Sequence, residues 1–167
     1  ACAWGAADHI TAVMDSSPPR YVWARGHEAI SWVNFALALV VALALQIATN
    51  YSNDYSDGKR GTDDPSKRVG PPRLVGNGLA TAGEVKRAML IAFGVAALAG
   101  FGLVLRVGWE LIPVGLAASA AGYFYTGGPK PYGYLGLGEA FVFLFFGVVA
   151  TVGSTYVQLD QITWLSL

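Results

Sequence analysis

The sequence has few charges and few residues that bind transition metals. Of its 167 residues, 13% are charged and 54% are hydrophobic, and the charged share is about half that of an ordinary soluble domain. A single cysteine, Cys2, excludes an internal disulfide, and the Cys/His spacing of a zinc or iron–sulfur site is missing. Acidic and basic residues balance at 11 each, so no net positive charge attracts nucleic acid. The composition favours a membrane protein and gives redox chemistry no support.

Long segments without formal charge predict membrane helices. Segments 32–51 and 88–105 are uncharged, and each suits a helix that crosses roughly 30 Å of hydrocarbon. Segment 111–125, with Pro113 near its start, and segment 135–156, with Glu139 near its start, predict two further helices. Glycine and alanine within these segments would let helix backbones approach closely. The predicted fold is therefore all-α, an integral membrane helical bundle with about four transmembrane helices.

The charges are distributed unevenly along the chain. Residues 1–31 mix charges with short apolar runs, so we expect an irregular polar lead there and a partial transmembrane domain over 32–167. The connections 52–87 and 126–139 hold eight of the 11 Lys and Arg. The positive-inside tendency then places both connections in the cytoplasm, for a multi-pass protein of the plasma membrane.

Polar residues recur at helical spacing where the first segment ends. Asn50, Asn53, Asp54 and Asp57 would lie within an arc of roughly 100° if the helix continued that far. Their amide and carboxylate oxygens are hard ligands that suit Mg²⁺, and a diphosphate could complete the metal shell. Nearby cations could hold the charge of that diphosphate. They are Lys59, Arg60, Lys67, Arg68 and Arg73.

The polar and basic residues of this region also have explanations that involve no metal or diphosphate. Asn, Asp, Ser and Gly are common turn residues, and Lys and Arg accumulate in cytoplasmic loops whatever the function. An EF-hand calcium loop does not fit, because Tyr55 would stand at a ligand position. Composition alone therefore leaves a metal site and a polar turn as alternatives.

A second polar segment, 125–139, lies on the same predicted side of the membrane. It contains Lys130, Glu139 and the tyrosines Tyr125, Tyr132 and Tyr134 among several glycines. A tight interfacial turn would use these residues. Aromatic faces attract cations, so next to a metal-diphosphate site they could also enclose a cationic intermediate.

Three ordered motifs carry a family resemblance. They are Asn53-Asp-Tyr-Ser-Asp57-Gly-Lys-Arg-Gly61-Thr-Asp63, then Val-Gly-Pro-Pro-Arg73-Leu-Val-Gly, then Tyr125-Thr-Gly-Gly-Pro-Lys130-Pro-Tyr-Gly-Tyr-Leu-Gly-Leu-Gly-Glu139. With them the chain resembles the UbiA superfamily of membrane prenyltransferases, and most closely its menaquinone-pathway members. The resemblance implies a nine-helix bundle with a cavity open to the cytoplasm. It also implies Mg²⁺ bridging aspartate-rich motifs to a polyprenyl diphosphate, whose prenyl group is transferred to an aromatic acceptor, with decarboxylation if the acceptor is dihydroxynaphthoate.

The resemblance also implies roles for individual residues. The first family motif falls on Asn53 and Asp57, and its last acid is displaced from Gly61 to Asp63. Asp54 is an additional metal-site residue, and Asp54, Asp57 and Lys130 are the expected catalytic residues. The expected metal ligands are Asn50, Asn53, Asp54, Asp57 and Asp63. The expected substrate-binding residues are Arg73, Lys67, Arg68, Tyr125 and Tyr132.

The sequence departs from the family pattern in two respects that keep alternatives open. The first membrane helix that the resemblance implies is not found in residues 1–31. The only acidic residue after Glu139 is Asp160, so the second aspartate-rich motif is missing, and we expect the chain to be incomplete at both ends. A catalytically silent membrane fragment and a UbiA-type enzyme with another aromatic acceptor are alternatives. An ion or phosphate transporter would place charges inside membrane segments, where only Glu139 is found. Oligomeric state and prenyl chain length stay open.

Overall fold

The computed structural model describes residues 30–62 and 72–159, which are helical and contain no β-strand. The helices are α1 (Trp32–Arg60), α2 (Ala82–Arg106), α3 (Leu111–Phe124) and α4 (Gly138–Leu159). A short 3₁₀ turn, Tyr132–Leu135, precedes α4. These elements confirm the all-α prediction. The predicted polar lead over 1–31 lies almost entirely outside the described residues.

Helix α1 continues well past the uncharged segment that predicted it. Ser31 begins it, since its hydroxyl accepts the Asn34 N–H at 3.3 Å. The helix ends at Arg60 because Gly61 adopts a left-handed φ of 71°. Its 29 residues rise about 43 Å, so its last turns project beyond roughly 30 Å of hydrocarbon. The helix is therefore longer than the membrane segment predicted for residues 32–51. Absence of charge marks a segment that suits hydrocarbon, whereas Gly61 marks the end of the helix.

The other helix boundaries also follow local signals. Helix α2 begins at Ala82, earlier than predicted, because Thr81 and Glu84 form a capping box. In it, the Thr81 N–H donates to Glu84 at 2.8 Å. Helix α4 begins at Gly138, and its segment Phe143–Val149 is π-helical.

Length separates the helices into two groups. In the part of the chain that the structure describes, three helices, α1, α2 and α4, are long and apolar enough to cross a membrane. Helix α3 has 14 residues and rises only about 21 Å, short of the roughly 30 Å needed. The protein is thus a multi-pass membrane protein, with three full-length candidate spans and one shorter apolar helix beside them.

Helix α1 is the central element, and it packs against α2, α3 and α4. Small buried side chains line its contact with α2, among them Ala44, Ala48 and Ala96. Where α3 crosses α1, a side chain on Gly122 would collide with Thr49. Because lipid is as apolar as leucine, helices in a bilayer associate through such close backbone approach.

Polar groups join three of the helices at one end of the bundle. The Asn34 amide donates to the Val157 carbonyl at 2.6 Å and accepts from Arg106 at 2.7 Å. Nearby, Gln158 accepts the Ser31 N–H at 2.9 Å. The start of α1 therefore lies beside the ends of α2 and α4, so the helices alternate in direction. The end of α1, the start of α2 and the start of α4 consequently share the opposite end.

The substitution Ala48→Leu tests the close packing of α1. Ala48 is fully buried at 0% exposure, so added methyl groups should overpack the interface and cost about 1–3 kcal/mol. The expected result is a lower thermal unfolding midpoint in detergent, followed by tryptophan fluorescence. The matched control is Ala42→Leu on the exposed side of the same helix, which should change the midpoint little. Equal losses in the two variants would contradict this packing.

Candidate functional site

The last turns of α1 carry polar side chains that point to two sides. A helix rotates about 100° per residue, so the adjacent residues Asn53 and Asp54 face different neighbours. One neighbour is the loop of residues 72–80, and the other is the loop of residues 125–135. We call these the arginine loop, because it carries Arg73, and the tyrosine loop.

Asp54 holds the arginine loop. Its carboxylate is only 5% exposed and accepts the backbone N–H groups of Leu74 at 2.8 Å and Val75 at 2.9 Å. One turn later, Gly58 leaves room for the Val75 side chain, since a Cβ on Gly58 would lie 2.5 Å from the Val75 Cβ. The arginine loop is thus seated on α1 by both hydrogen bonding and shape.

Asn53 and Asp57 hold the tyrosine loop on the other side. The Thr126 hydroxyl donates to the Asn53 Oδ1 at 2.9 Å, and the Tyr134 hydroxyl donates to the Asp57 carboxylate. Thr126 is itself buried. Two oxygen ligands of the predicted metal site therefore lie next to the segment predicted to enclose the substrate.

Arg60, predicted only as one of the cations near a diphosphate, completes this contact. Its guanidinium donates to the carbonyls of Thr126 and Gly128 and lies 5.7 Å from the centre of the Tyr134 ring. Arg60 follows Asp57 by three positions, which places both on one helix face. Helical spacing could have identified it, had the predicted helix continued to Gly61.

Aromatic rings extend from the tyrosine loop into α4. The Tyr125 and Tyr132 rings meet edge to face at 5.5 Å, and Tyr132 stacks on Phe141 at 4.1 Å. The Tyr132 hydroxyl donates to the Ala121 carbonyl at 2.7 Å. Burial, with a smaller effect of Tyr125, raises the pKa of Tyr132, so this hydroxyl stays protonated at neutral pH. The column of rings continues to Phe145.

The structure corrects the prediction that four polar residues of α1 face one point. Asn50 donates to the Gln46 carbonyl of its own helix at 2.9 Å, and Asp54 faces the arginine loop. Of the four, Asn53 and Asp57 contact the tyrosine loop. Lys130 is exposed in the tyrosine loop. The remaining predicted residues, Asp63, Lys67 and Arg68, lie outside the described ranges.

Asn53 and Asp57 suit one side of a hard-cation site. They offer an amide and a carboxylate oxygen, which Mg²⁺ accepts together with water and phosphate oxygens. Asp57 stands near the negative end of the α1 dipole, which further favours a cation there. Within residues 30–62 and 72–159, no group of three or more His, Cys, Asp or Glu could hold a metal. The donor set therefore fits Mg²⁺ only as part of a larger shell.

Comparison with known proteins shows the family to which the chain is related. The model of the UbiA prenyltransferase family matches residues 20–167. A 1,4-dihydroxy-2-naphthoate octaprenyltransferase from Mycobacterium tuberculosis is 51% identical over 141 residues, covering 84% of this chain and 47% of that protein. The protein of the same name from Escherichia coli is 43% identical over 130 residues, covering 73% of this chain and 41% of that protein.

A more distant relative has a different name. A 2-carboxy-1,4-naphthoquinone phytyltransferase from Synechocystis is 30% identical over 138 residues, covering 78% of this chain and 41% of that protein. The chain thus spans about half the length of the curated relatives it matches. No solved structure matches it significantly.

Arg60→Ala tests the attachment of the tyrosine loop. The two carbonyls that Arg60 binds lose a charged donor, and such hydrogen bonds are worth about 1.5–3 kcal/mol each. Backbone amides of residues 125–135 should therefore exchange with deuterium about tenfold faster or more, by mass spectrometry in lipid nanodiscs. Lys59→Ala is the matched control, because Lys59 contacts the Tyr55 ring of its own helix. Unchanged exchange in Arg60→Ala would contradict the attachment.

Proposed function

The chain belongs to the UbiA prenyltransferase family, and we propose that its protein transfers a polyprenyl group from polyprenyl diphosphate to 1,4-dihydroxy-2-naphthoate. The names of the relatives at 51% and 43% identity support this acceptor. The observation that carries the proposal is the attachment of the arginine and tyrosine loops to neighbouring faces of the last turns of α1. One helix end thereby brings carboxylate, cationic and aromatic groups together.

Diphosphate binding is assigned to the basic residues. Arg73 in the arginine loop offers a planar donor group that matches phosphate oxygens, and Lys67 and Arg68 precede it in the chain. Asn53 and Asp57 would hold Mg²⁺, with Asp63 as a further acid from the same motif. When bound, the metal would neutralise charge that develops on the departing diphosphate.

The reaction joins an allylic carbon to an aromatic ring. The bond between the allylic carbon and the diphosphate oxygen breaks, and diphosphate leaves with the electron pair. The electron-rich acceptor ring then forms a bond to that carbon at the position that bears the carboxylate. Loss of CO₂ returns its bonding electrons to the ring. Tyr125 and Tyr132 would face the developing allylic cation, because aromatic rings stabilise cations, and Lys130 would add charge near the diphosphate.

The site end of the bundle is proposed to face the cytoplasm at the plasma membrane. Eight of the 11 Lys and Arg lie in the two connections that contain the arginine and tyrosine loops. Both loops contact the same end of α1, and the basic residues that the structure describes in these two connections lie at that end: Lys59, Arg60, Arg73, Lys86, Arg87 and Lys130. Positive charge concentrates on the cytoplasmic side of membrane proteins.

The main alternative is that this chain supplies only part of a site and is silent alone. The absence of a cluster of three acids in the described ranges and the coverage of about half of each relative favour a further set of ligands from outside those ranges. An assay of the purified chain with octaprenyl diphosphate, acceptor and Mg²⁺ distinguishes the two. Clear product formation excludes the silent fragment. Faster reaction with a different aromatic acceptor would indicate a UbiA-type prenyltransferase that uses that acceptor instead of 1,4-dihydroxy-2-naphthoate.

The substitution Asp57→Asn tests whether the Asp57 carboxylate takes part in binding Mg²⁺. Loss of the carboxylate should lower kcat by about 100-fold or more, because transition-state charge is then poorly neutralised. Product formation from octaprenyl diphosphate at saturating Mg²⁺ provides the measurement. Glu110→Gln removes a carboxylate at the opposite end of the bundle, where Glu110 contacts Tyr156, and should keep kcat. Near-normal turnover in Asp57→Asn would refute its role.

A further inference from the structure

We infer that Asp54 is a positioning residue for Arg73 and not a ligand of the metal. The inference rests on the proposed function, because it assigns to Arg73 the recognition of diphosphate. It departs from the metal-site role that helical spacing and the family resemblance predicted for Asp54. Three observations support this inference: the contacts of the Asp54 carboxylate, the hydrogen bonds within the arginine loop, and the packing at Gly58.

Each oxygen of the Asp54 carboxylate accepts a backbone N–H of the arginine loop. Its Oδ2 accepts the N–H of Leu74 at 2.8 Å, and its Oδ1 accepts the N–H of Val75 at 2.9 Å. A carboxylate that is only 5% exposed requires such partners to offset its lost hydration. Asp54 also faces the arginine loop, whereas Asn53 and Asp57 face the tyrosine loop. Its charge is therefore directed at backbone amides.

The arginine loop is bonded internally so that this attachment fixes Arg73. The Arg73 carbonyl accepts the backbone N–H of Asn77 at 3.1 Å and its side-chain amide at 2.9 Å. The Leu74 carbonyl accepts the N–H groups of Leu79 at 2.8 Å and Ala80 at 3.1 Å. The peptide that follows Arg73 is thus held by Asp54 through its N–H and by Asn77 through its carbonyl. The backbone of Arg73 cannot shift without breaking one of these contacts.

Gly58 supports the same attachment by shape. A Cβ at this position would lie 2.5 Å from both Cβ and Cγ1 of Val75, a distance at which one of the two must move. The side chain of Val75 therefore packs directly on the backbone of α1, one turn beyond Asp54. Hydrogen bonds and packing both seat the loop, and each can be altered by a substitution on α1 that leaves the other's side chain in place.

Two variants separate positioning from metal binding. Asp54→Asn removes a charged acceptor and places an amide against backbone N–H groups, and Gly58→Ala displaces Val75 while leaving every carboxylate intact. In both variants the backbone amides of Leu74 and Val75 should exchange with deuterium about tenfold faster or more. Asp54→Asn weakens their hydrogen bonds by removing the charge of the acceptor, and Gly58→Ala distorts the geometry of the same bonds. Binding of inorganic diphosphate at saturating Mg²⁺ should weaken about tenfold, with the Mg²⁺ concentration for half-saturation unchanged. Asp57→Asn, the matched control, should instead raise the Mg²⁺ requirement and leave the Leu74 and Val75 amides unchanged.

The opposite pattern overturns the inference. If Asp54→Asn raises the Mg²⁺ requirement while Gly58→Ala binds diphosphate normally, Asp54 is a metal ligand. If Asp54→Asn fails to fold, Gly58→Ala alone decides, and normal diphosphate affinity in that variant refutes the positioning role. Amide exchange and diphosphate binding can both be measured in a protein that has no prenyl-transfer activity. A wild-type protein that binds diphosphate but transfers no prenyl group would therefore refute the proposed function while the role of Asp54 is still measured.

Discussion

The site depends on one constraint, the continuation of helix α1 beyond the hydrocarbon as far as Gly61. Past this depth the helix can present polar groups on all sides, because water and loops replace lipid around it. Asp54 then binds the arginine loop, while Asn53, Asp57 and Arg60 bind the tyrosine loop. A helix that ended at residue 51 would leave both loops without an anchor.

The rest of the bundle holds this helix in place. Small residues such as Ala48 and Gly122 bring α2 and α3 close to α1, and at the far end Asn34 bonds α1 to α2 and α4. Lipid offers little hydrophobic force between helices, so close packing and interhelical hydrogen bonds determine their arrangement. The contacts that hold α1 therefore extend from Gly122, close to the site, to Asn34 at the far end of the helix.

Sequence patterns predicted the helices and the segments of the site better than they predicted their contacts. Runs without charge identified α1 to α4, because the bilayer excludes charge. Helical spacing placed Asn53 and Asp57 on one side correctly, but it also grouped Asp54 with them and omitted Arg60. Angular position along a helix can be computed from sequence, whereas the loop that covers each face is set by tertiary packing. Capping signals at Gly61 and Thr81 would have corrected the predicted boundaries.

Cross-linking between α1 and the tyrosine loop tests most directly whether the extended helix anchors the site. In a Cys2→Ser background, Asn53→Cys and Thr126→Cys replace side chains whose oxygens lie 2.9 Å apart. We predict rapid intramolecular cross-linking of this pair by a short bifunctional maleimide in lipid nanodiscs. Asn34→Cys with Thr126→Cys, at opposite ends of the bundle, should give no cross-link between the two cysteines. Failure of the first pair to cross-link, or equal cross-linking of the two pairs, would contradict the anchoring of the tyrosine loop on α1.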